Sequence, residues 1–498
     1  MRKFVAIVLL LLSGACALAQ RSYILADGDK KDADYQKGKS QQAGLDLGLT
    51  VLANRIPIES MMAGSKPSKH LLKEGPMHLQ LPMDDNQTDF AVYHSEVFDR
   101  KSSVNILQID NELIVYRTME TTGNIHLLYQ CTRGAYGTKK SAHAKNAPVY
   151  RLWDTPERCL LPDLELQDQM AKSEAKKCGK TEYSLLIFND LKSYGCGEKG
   201  DEAIAHFLDT MQKYNPGKRL QADLLTPASQ TYLSQVNENQ LWNESMRTKI
   251  VETLSEQQDY YRTKGMPWMI GNFQIHLADK YRKATTLEEL EWFLSKAAAF
   301  DAGFGLDFSA ATMRQHGLTD TLLGTIKLWE KLRMNGAFSE EQKEAFKDPY
   351  GNWHIEQADS SYLIYPQYVS RRYPCHFEDD SWIWDSPYAG PFALRIAVEG
   401  KGSISGLSLR TPNGTIIFPC TLKAGQYLIY DFDGSAWITD LNFNKLEEVI
   451  AHGTAILNEG ETEVTFSCEV QKEKGVMPRV TLRYITRGKE TGLLRASQ

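Results

Sequence analysis

Three carboxylates close short apolar runs in this 498-residue sequence, and a fourth follows on a loop. Asp190 follows Leu-Leu-Ile-Phe-Asn, Asp223 ends Arg-Leu-Gln-Ala-Asp and Asp307 ends Gly-Phe-Gly-Leu-Asp, while Glu198 lies beyond Asp190. An apolar run of this length between polar segments suits a strand buried on both faces, and in parallel α/β folds ligands bind beyond the carboxyl ends of such strands. Cleaving a glycosidic bond takes two carboxyl groups, one as acid and one as base or nucleophile, so these four are the catalytic candidates. Any two could form the couple, and a sequence does not carry the separation that divides retaining from inverting chemistry. Taken singly, each acid also fits a salt bridge or a helix cap.

Polar residues beside the same run ends would recognise sugar hydroxyls: Asn189 and Tyr194 near Asp190, then Asn272, Gln274 and His276 around the end of another run. Trp353 could stack on a sugar ring, as could Trp382 and Trp384, although buried aromatics are as natural a use of them. A second chemistry draws on some of the same residues. A lyase acting on uronic-acid polymers needs a base such as Tyr194, His276 or His316, together with a cation such as Arg314 to neutralise the sugar carboxylate. Cationic cleft walls would favour that reading and paired acids the hydrolase. A non-catalytic glycan-binding protein is the third possibility. There is no G-x-S-x-G, Walker A loop, H-E-x-x-H or dinucleotide fingerprint. The sequence implies no cofactor and no catalytic metal site, with structural calcium at Asp379, Asp380 or Asp385 resting on clustered acids alone.

The elements that must position these residues alternate. Helical periodicity covers residues 163–178, 201–214, 244–264, 286–300 and 319–333, and strand-like runs at 184–188, 219–225, 268–275 and 302–308 lie between them. Thr286 and Glu289 form a Thr-x-x-Glu start signal. Four strand–helix units are visible where a full barrel has eight, so the fold expected is α/β and TIM-barrel-like, either partial or with strands too irregular to see. Before it, residues 20–43 read as a mobile polar leader or an edge segment, residues 44–59 as a strand, and runs at 77–81, 90–93, 104–109 and 112–116 as a small β module. After residue 348 short alternating runs with turns such as Pro412-Asn413-Gly414 indicate a β-sandwich of jelly-roll type. The expected boundaries are 1–19, 20–150, 151–348 and 349–498.

Two stretches carry a resemblance. Ile109-Asp110-Asn111-Glu112 followed by Cys131-Thr-Arg-Gly-Ala-Tyr-Gly-Thr138 and His143 resembles a small β element of secreted bacterial glycan-degrading proteins and some phage fibre proteins. There Arg133 and His143 would tie a tight turn to the neighbouring strand. The helix-borne Asp163-Leu-Glu-Leu-Gln-Asp-Gln-Met-Ala171, then Phe188-Asn189-Asp190, resembles secreted barrel glycoside hydrolases of gut-type bacteria. In that group the strand reads roughly Y-F-D-G, so Asp190 is displaced by one position and Asn189 stands in the aspartate's place. The resemblance implies a polysaccharide or oligosaccharide substrate.

Composition agrees with a globular chain: 42% hydrophobic, 24% charged and a net charge of -6, without the basic surplus of a nucleic-acid binder. Arg2 and Lys3, the apolar run 4–12 and Ala17-Leu18-Ala19 form the three-part pattern of a secretory signal, so export to the periplasm or cell surface is expected. A lipid-modified Cys16 is the weaker alternative. The run is too short to span a bilayer, and no later segment reads as transmembrane. Seven cysteines would remain, an odd number without the spacing of a disulfide framework or zinc site.

Overall fold

The computed structural model describes residues 22–26, 30–52, 62–63, 66–154, 160–181, 183–189, 191, 200–238, 240–242, 247–358, 361–490 and 492–495. The signal pattern at 1–19, Asp190, Tyr194 and Glu198 lie outside them. Two compact units divide the chain: residues 48–238 form one, and residues 1–47 with 239–498 form the other.

The polar stretch read as a leader is structured. β1 (Tyr23–Ala26) and α1 (Lys30–Ala43) occupy it. Tyr23 and Ile24 are fully buried, and β1 runs parallel to the strand Gly303–Asp307. Four residues are too few to show a period, and α1 buries a narrow face of small or polar side chains: Gln36, Ser40 and Ala43. Gln36 Nε2 donates to Leu25 O at 3.2 Å, so a polar residue fastens this helix where apolar ones would have announced it. β2 (Asp46–Leu52) begins in this unit, where Asp46 N donates to Ser22 O, and continues into the next.

The 48–238 unit opens with the β module. Its strands are β3 (Lys73–His78), β4 (Phe90–Tyr93), β5 (Ile106–Ile109), β6 (Glu112–Val115), β7 (Thr118–Thr122), β8 (Ile125–Tyr129) and β9 (Pro148–Leu152). They pair as two antiparallel sheets, β4-β8-β7 and β3-β9-β5-β6, around Leu79, Val92, Leu107, Ile109, Ile114 and Val149. The rest is parallel α/β: α2 (Leu164–Gly179), β10 (Leu185–Asn189), α3 (Asp201–Tyr214), β11 (Arg219–Ala222) and the two-residue β12 (Gln235–Val236). Strand order is β2-β10-β11-β12, all parallel. Leu185 to Phe188 are at most 1% exposed, as expected of a strand covered on both faces.

The other unit resumes with α4 (Arg247–Thr263), β13 (Met269–Gln274), α5 (Leu287–Ala299), β14 (Gly303–Asp307), α6 (Ala310–Gln315), α7 (Thr319–Met334) and α8 (Glu340–Phe346). Thr286 caps α5 by accepting from Glu289 N at 3.2 Å. β14 lies between β1 and β13, all parallel, and Leu241 bridges Asn272 on the far side of β13. Among the described residues seven parallel strands are therefore present, where periodicity shows four.

The β-sandwich follows in the same unit: β15 (Asn352–Ala358), β16 (Ser361–Arg372), β17 (Asp380–Ser386), β18 (Phe392–Glu399), β19 (Ser403–Thr411), β20 (Gly414–Lys423), β21 (Gln426–Tyr430), β22 (Ala436–Asp440), β23 (Lys445–Val449), β24 (Gly460–Gln471), β25 (Arg479–Arg487) and β26 (Leu493–Arg495). One sheet runs β15-β16-β25-β18-β21-β22-β23 with β26 beside β16, and the other runs β17-β24-β19-β20. Leu394, Ile396, Leu428 and Leu482 from the first meet Leu407, Leu409, Phe418 and Phe466 from the second. Trp384 is buried in this core.

Among the contacts that tie the sandwich to the α/β elements of its own unit, two invite a direct test. At the first, Gly317 N donates to Asn442 O at 2.8 Å, and a Cβ on Gly317 would stand 2.1 Å from Phe443 O. Gly317→Ala must push these backbones apart, and a loss of roughly 1–3 kcal/mol is expected, as for other overpacked sites, read as a lowered urea midpoint. At the second, the buried Glu291 of α5 accepts from His354 Nδ1 of β15 at 2.7 Å, from Trp329 Nε1 and from Ile355 N. Burial alone would lower the His354 pKa, but the Glu291 carboxylate and then Glu356 outweigh it and hold the imidazole at about 9 against 6.5. A folded value above the unfolded one means the contribution is complete below pH 6.5 and is lost as pH rises towards 9. The span is worth about 3 kcal/mol, so between pH 6 and 9.5 wild type should lose about that much more stability than His354→Gln in parallel urea titrations.

Candidate functional site

β13 and β14 end side by side, with Gln274 opposite Asp307. Both strands need small residues to carry polar side chains. Asn272 Oδ1 occupies the space over Gly305, where a Cβ would be 2.2 Å away. At the carboxyl ends a chain of polar contacts begins. Gln274 Nε2 donates to Asp307 Oδ2 at 3.0 Å, and Arg282 donates through one terminal nitrogen to Gln274 Oε1 at 2.9 Å and through Nε to Asp279 Oδ2 at 3.0 Å. Asp279 Oδ1 also accepts from the backbone of Tyr281 and Arg282. The Asp279 carboxylate thus holds a turn, and both it and Asp307 line one hollow.

Two hollows share Gln274, His276 and Arg282. One of about 340 Å³ reaches Asp307, Ser309 and Thr312. The other, about 660 Å³, extends past Trp242 and Tyr281 to Glu289 and to two sandwich residues, Arg371 and Arg483. That volume suits a few sugar rings, within the usual range of about 300–1,000 Å³ for ligand clefts.

His276 stands at the common wall. Its backbone N–H donates to Thr285 Oγ1 at 3.0 Å, and its Nδ1 lies 3.3 Å from Leu277 O. A carbonyl only accepts, so Nδ1 carries the hydrogen and Nε2 keeps its lone pair. Burial first, then the Arg282 charge, lowers the His276 pKa and keeps the ring neutral at neutral pH. His316 is also held low by burial, but its Nε2 is committed to Thr285 O at 3.0 Å and its ring packs on Phe443. Arg314 lies with its guanidinium carbon 4.5 Å from the Tyr35 ring centre.

The remaining residues fall elsewhere. In the 48–238 unit, Asn189 ends β10 and is half-buried, and Asp223 lies just past β11, where Oδ1 accepts from Leu191 N at 3.1 Å. Trp353 sits on β15 with its ring edge against Phe346 at 5.0 Å, packed among helix residues, and half-buried Trp382 lies against the sandwich core. Asp379 accepts from Ser467 Oγ, and Asp380 from Cys375 N. Among the described residues no group of three or more potential metal ligands occurs, and no helix is long and apolar enough to cross a membrane.

Arg282, Glu289, Arg371, Arg483 and the ring of Trp242 are cleft residues that sequence reasoning missed. Only Arg282 carried a local signal, lying close after the His276 run. The two sandwich arginines reach the cleft because distant strands pair.

The motif around Arg133 proves to be structural. Its guanidinium donates to both oxygens of Glu112, at 2.8 and 2.9 Å, and to the carbonyls of Asp84, Gln87 and Ser141. His143 bridges Glu112 and Asp110 at 2.9 Å each.

No family model matches this sequence, and no curated protein is significantly similar to it. Solved structures similar to this chain include a β-L-arabinopyranosidase of glycoside hydrolase family 27 from Geobacillus stearothermophilus, at 9% identity, 89% of this chain, 78% of that one and a TM-score of 0.29. A debranching enzyme from Nostoc punctiforme matches at 8% identity over 71% of this chain and 91% of its own, TM-score 0.31. A pyruvate kinase from Cryptosporidium parvum matches at 8% identity, 67% and 68%, TM-score 0.26. Likeness at this level carries no argument about fold or chemistry, which rest on the strands and side chains above.

Proposed function

We propose that this chain is an exported carbohydrate-active enzyme that cleaves a polysaccharide in the cleft beyond β13 and β14. The observation that carries the proposal is a strand-end carboxylate, Asp307, which accepts from Gln274 and lines the smaller hollow, while Gln274, His276 and Arg282 join that hollow to the larger one walled by Trp242 and Tyr281. Glycoside hydrolysis is the favoured chemistry, with Asp307 as one of its two carboxyl groups and Gln274 and His276 recognising hydroxyls, while Asn272 packs over Gly305 and lines neither hollow. The amino-terminal pattern supports export.

A second reading has its own observation. Burial and the nearby Arg282 charge keep His276 neutral, and its Nε2 has no partner among the described residues, so the two would serve as the base and the cation of a polysaccharide lyase. One digest separates the two. Hydrolysis adds water across the cut bond and gives two saturated ends, whereas elimination leaves an unsaturated ring absorbing in the ultraviolet. Incubating the purified chain with plant and host glycans and weighing the products is expected to show added water. Absence of any cleaved glycan would end both readings.

A further inference from the structure

β16, β25 and β18 place three arginines in one row. Arg371 is directly opposite Arg483, and Arg483 is directly opposite Arg395. Like charges facing each other across adjacent strands destabilise a sheet, so such a row needs anions to hold it. The protein supplies them unevenly. Arg395 is well provided, lying 3.8 Å from Glu288 and 3.7 Å from Asp431 and donating to Tyr430 O at 2.9 Å. Arg483 has only the far oxygen of Glu288, at 3.9 Å, and its buried Nε finds no acceptor among the described residues. Arg371 is exposed and has no ion pair or hydrogen bond among the described residues. Compensation therefore falls along the row from Arg395 to Arg371.

The deficient end is the one that opens on the 660 Å³ cleft. Other cations there are already matched: Arg282 by Asp279 and Gln274, Lys283 by Glu399 at 3.1 Å. The whole chain is negative at -6, so an unpaired arginine beside a weakly paired one in one cleft is not a consequence of composition.

We propose that Arg371 and Arg483 bind an oxyanion carried by the substrate, making the sandwich a wall of the cleft and an acidic glycan its occupant. The proposal rests on the carbohydrate-cleaving reading and narrows it to chains bearing carboxylate or sulfate groups. A planar guanidinium fork matches either oxyanion, and Arg371 and Arg483 are cross-strand neighbours lining one cleft, a spacing of about 4.5–5.5 Å between Cβ atoms that lets both reach one group.

Titration calorimetry at low salt tests this with three oligosaccharides of equal length, one polyuronate, one sulfated and one neutral. Wild type should bind one acidic oligosaccharide at least tenfold tighter than the neutral one, and which arm wins identifies carboxylate or sulfate. Arg371→Gln should lose about that factor for the acidic ligand, with its melting temperature not lowered, because the side chain is exposed and its loss removes a like charge from opposite Arg483. Arg371→Lys, which keeps the charge without the fork, should recover part of it. Equal binding of neutral and acidic chains, or unchanged acidic affinity in Arg371→Gln, overturns the proposal. Cleavage of a neutral glycan indifferent to Arg371 would sink it while leaving the enzymatic reading intact. Acid-selective, Arg371-dependent binding without any cleavage would do the reverse.

Discussion

Replacing Arg133 by methionine is expected to destabilise the 48–238 unit by about 3–5 kcal/mol, the usual cost of removing one partner from a buried ion pair. Arg133 and Glu112 have side chains at most 1% exposed, so the carboxylate would lose its guanidinium partner without gaining water, keeping only His143 and the Gly134 and Ser141 amides. Burial pushes the Glu112 pKa up, yet the donors from Arg133, His143, Gly134 and Ser141 outweigh it and hold the carboxyl below its ordinary value. A folded value below the unfolded one contributes stability that is present above the ordinary carboxylate pKa and lost as pH falls through the folded value. Arg133→Met should therefore flatten the acid limb of the stability curve as well as lower it. Hydrogen exchange at the β5 and β6 amides is the direct readout, with faster exchange there than in β18 or β25. The double change Arg133→Met with Glu112→Leu should recover part of the loss, because two apolar side chains leave no charge unmatched. Unchanged exchange at β5 and β6 in the single variant would show the network to be dispensable.

Sequence periodicity reaches some of this architecture and stops at identifiable places. The α2, α3, α5 and α7 segments read correctly because each has a capping residue or a broad apolar face: Asp163 accepts from Leu166 N and Thr286 from Glu289 N. β1 and α1 escaped because Tyr-Ile-Leu-Ala is too short to show a period and α1 is fastened by Gln36. β12 has two residues and offers no pattern at all. The placement of Gln274, His276 and Asp307 at or just past the ends of β13 and β14 was legible because strand ends in a parallel sheet point to one side, a rule that needs only local sequence. Arg371 and Arg483 were not, since their meeting depends on β16 pairing with β25 far along the chain, which alternation within either strand does not encode. Trp384 shows the converse: an aromatic that composition allows to stack on sugar is buried in the sandwich core.

Asp307→Asn is expected to lower kcat by about 10²–10⁴-fold, the range for losing a positioned proton-transfer group, with little change in KM or melting temperature. The substitution is nearly isosteric, and the amide oxygen can still accept from Gln274 Nε2, so the strand end keeps its geometry. A large fall in kcat with intact folding would thus report chemistry at the carboxyl group. Gln274→Ala leaves the carboxyl in place without its orienting donor and should cost less, perceptibly in kcat and in KM if Gln274 also touches substrate. His276→Gln supplies the contrast. Under hydrolysis His276 recognises a hydroxyl, and its loss should raise KM more than it lowers kcat. Under elimination it is the base, and its loss should abolish turnover while Asp307→Asn spares it. The pH profile points the same way. Because burial and Arg282 hold the His276 pKa below its ordinary 6.5, a histidine base would already be deprotonated at neutral pH. Lyase activity would rise through an acidic pH and stay flat above it, and a hydrolase dependent on a protonated carboxyl would instead decline as pH rises past that group's pKa. Full turnover in Asp307→Asn, combined with a flat profile above neutrality, would transfer the chemistry from Asp307 to His276.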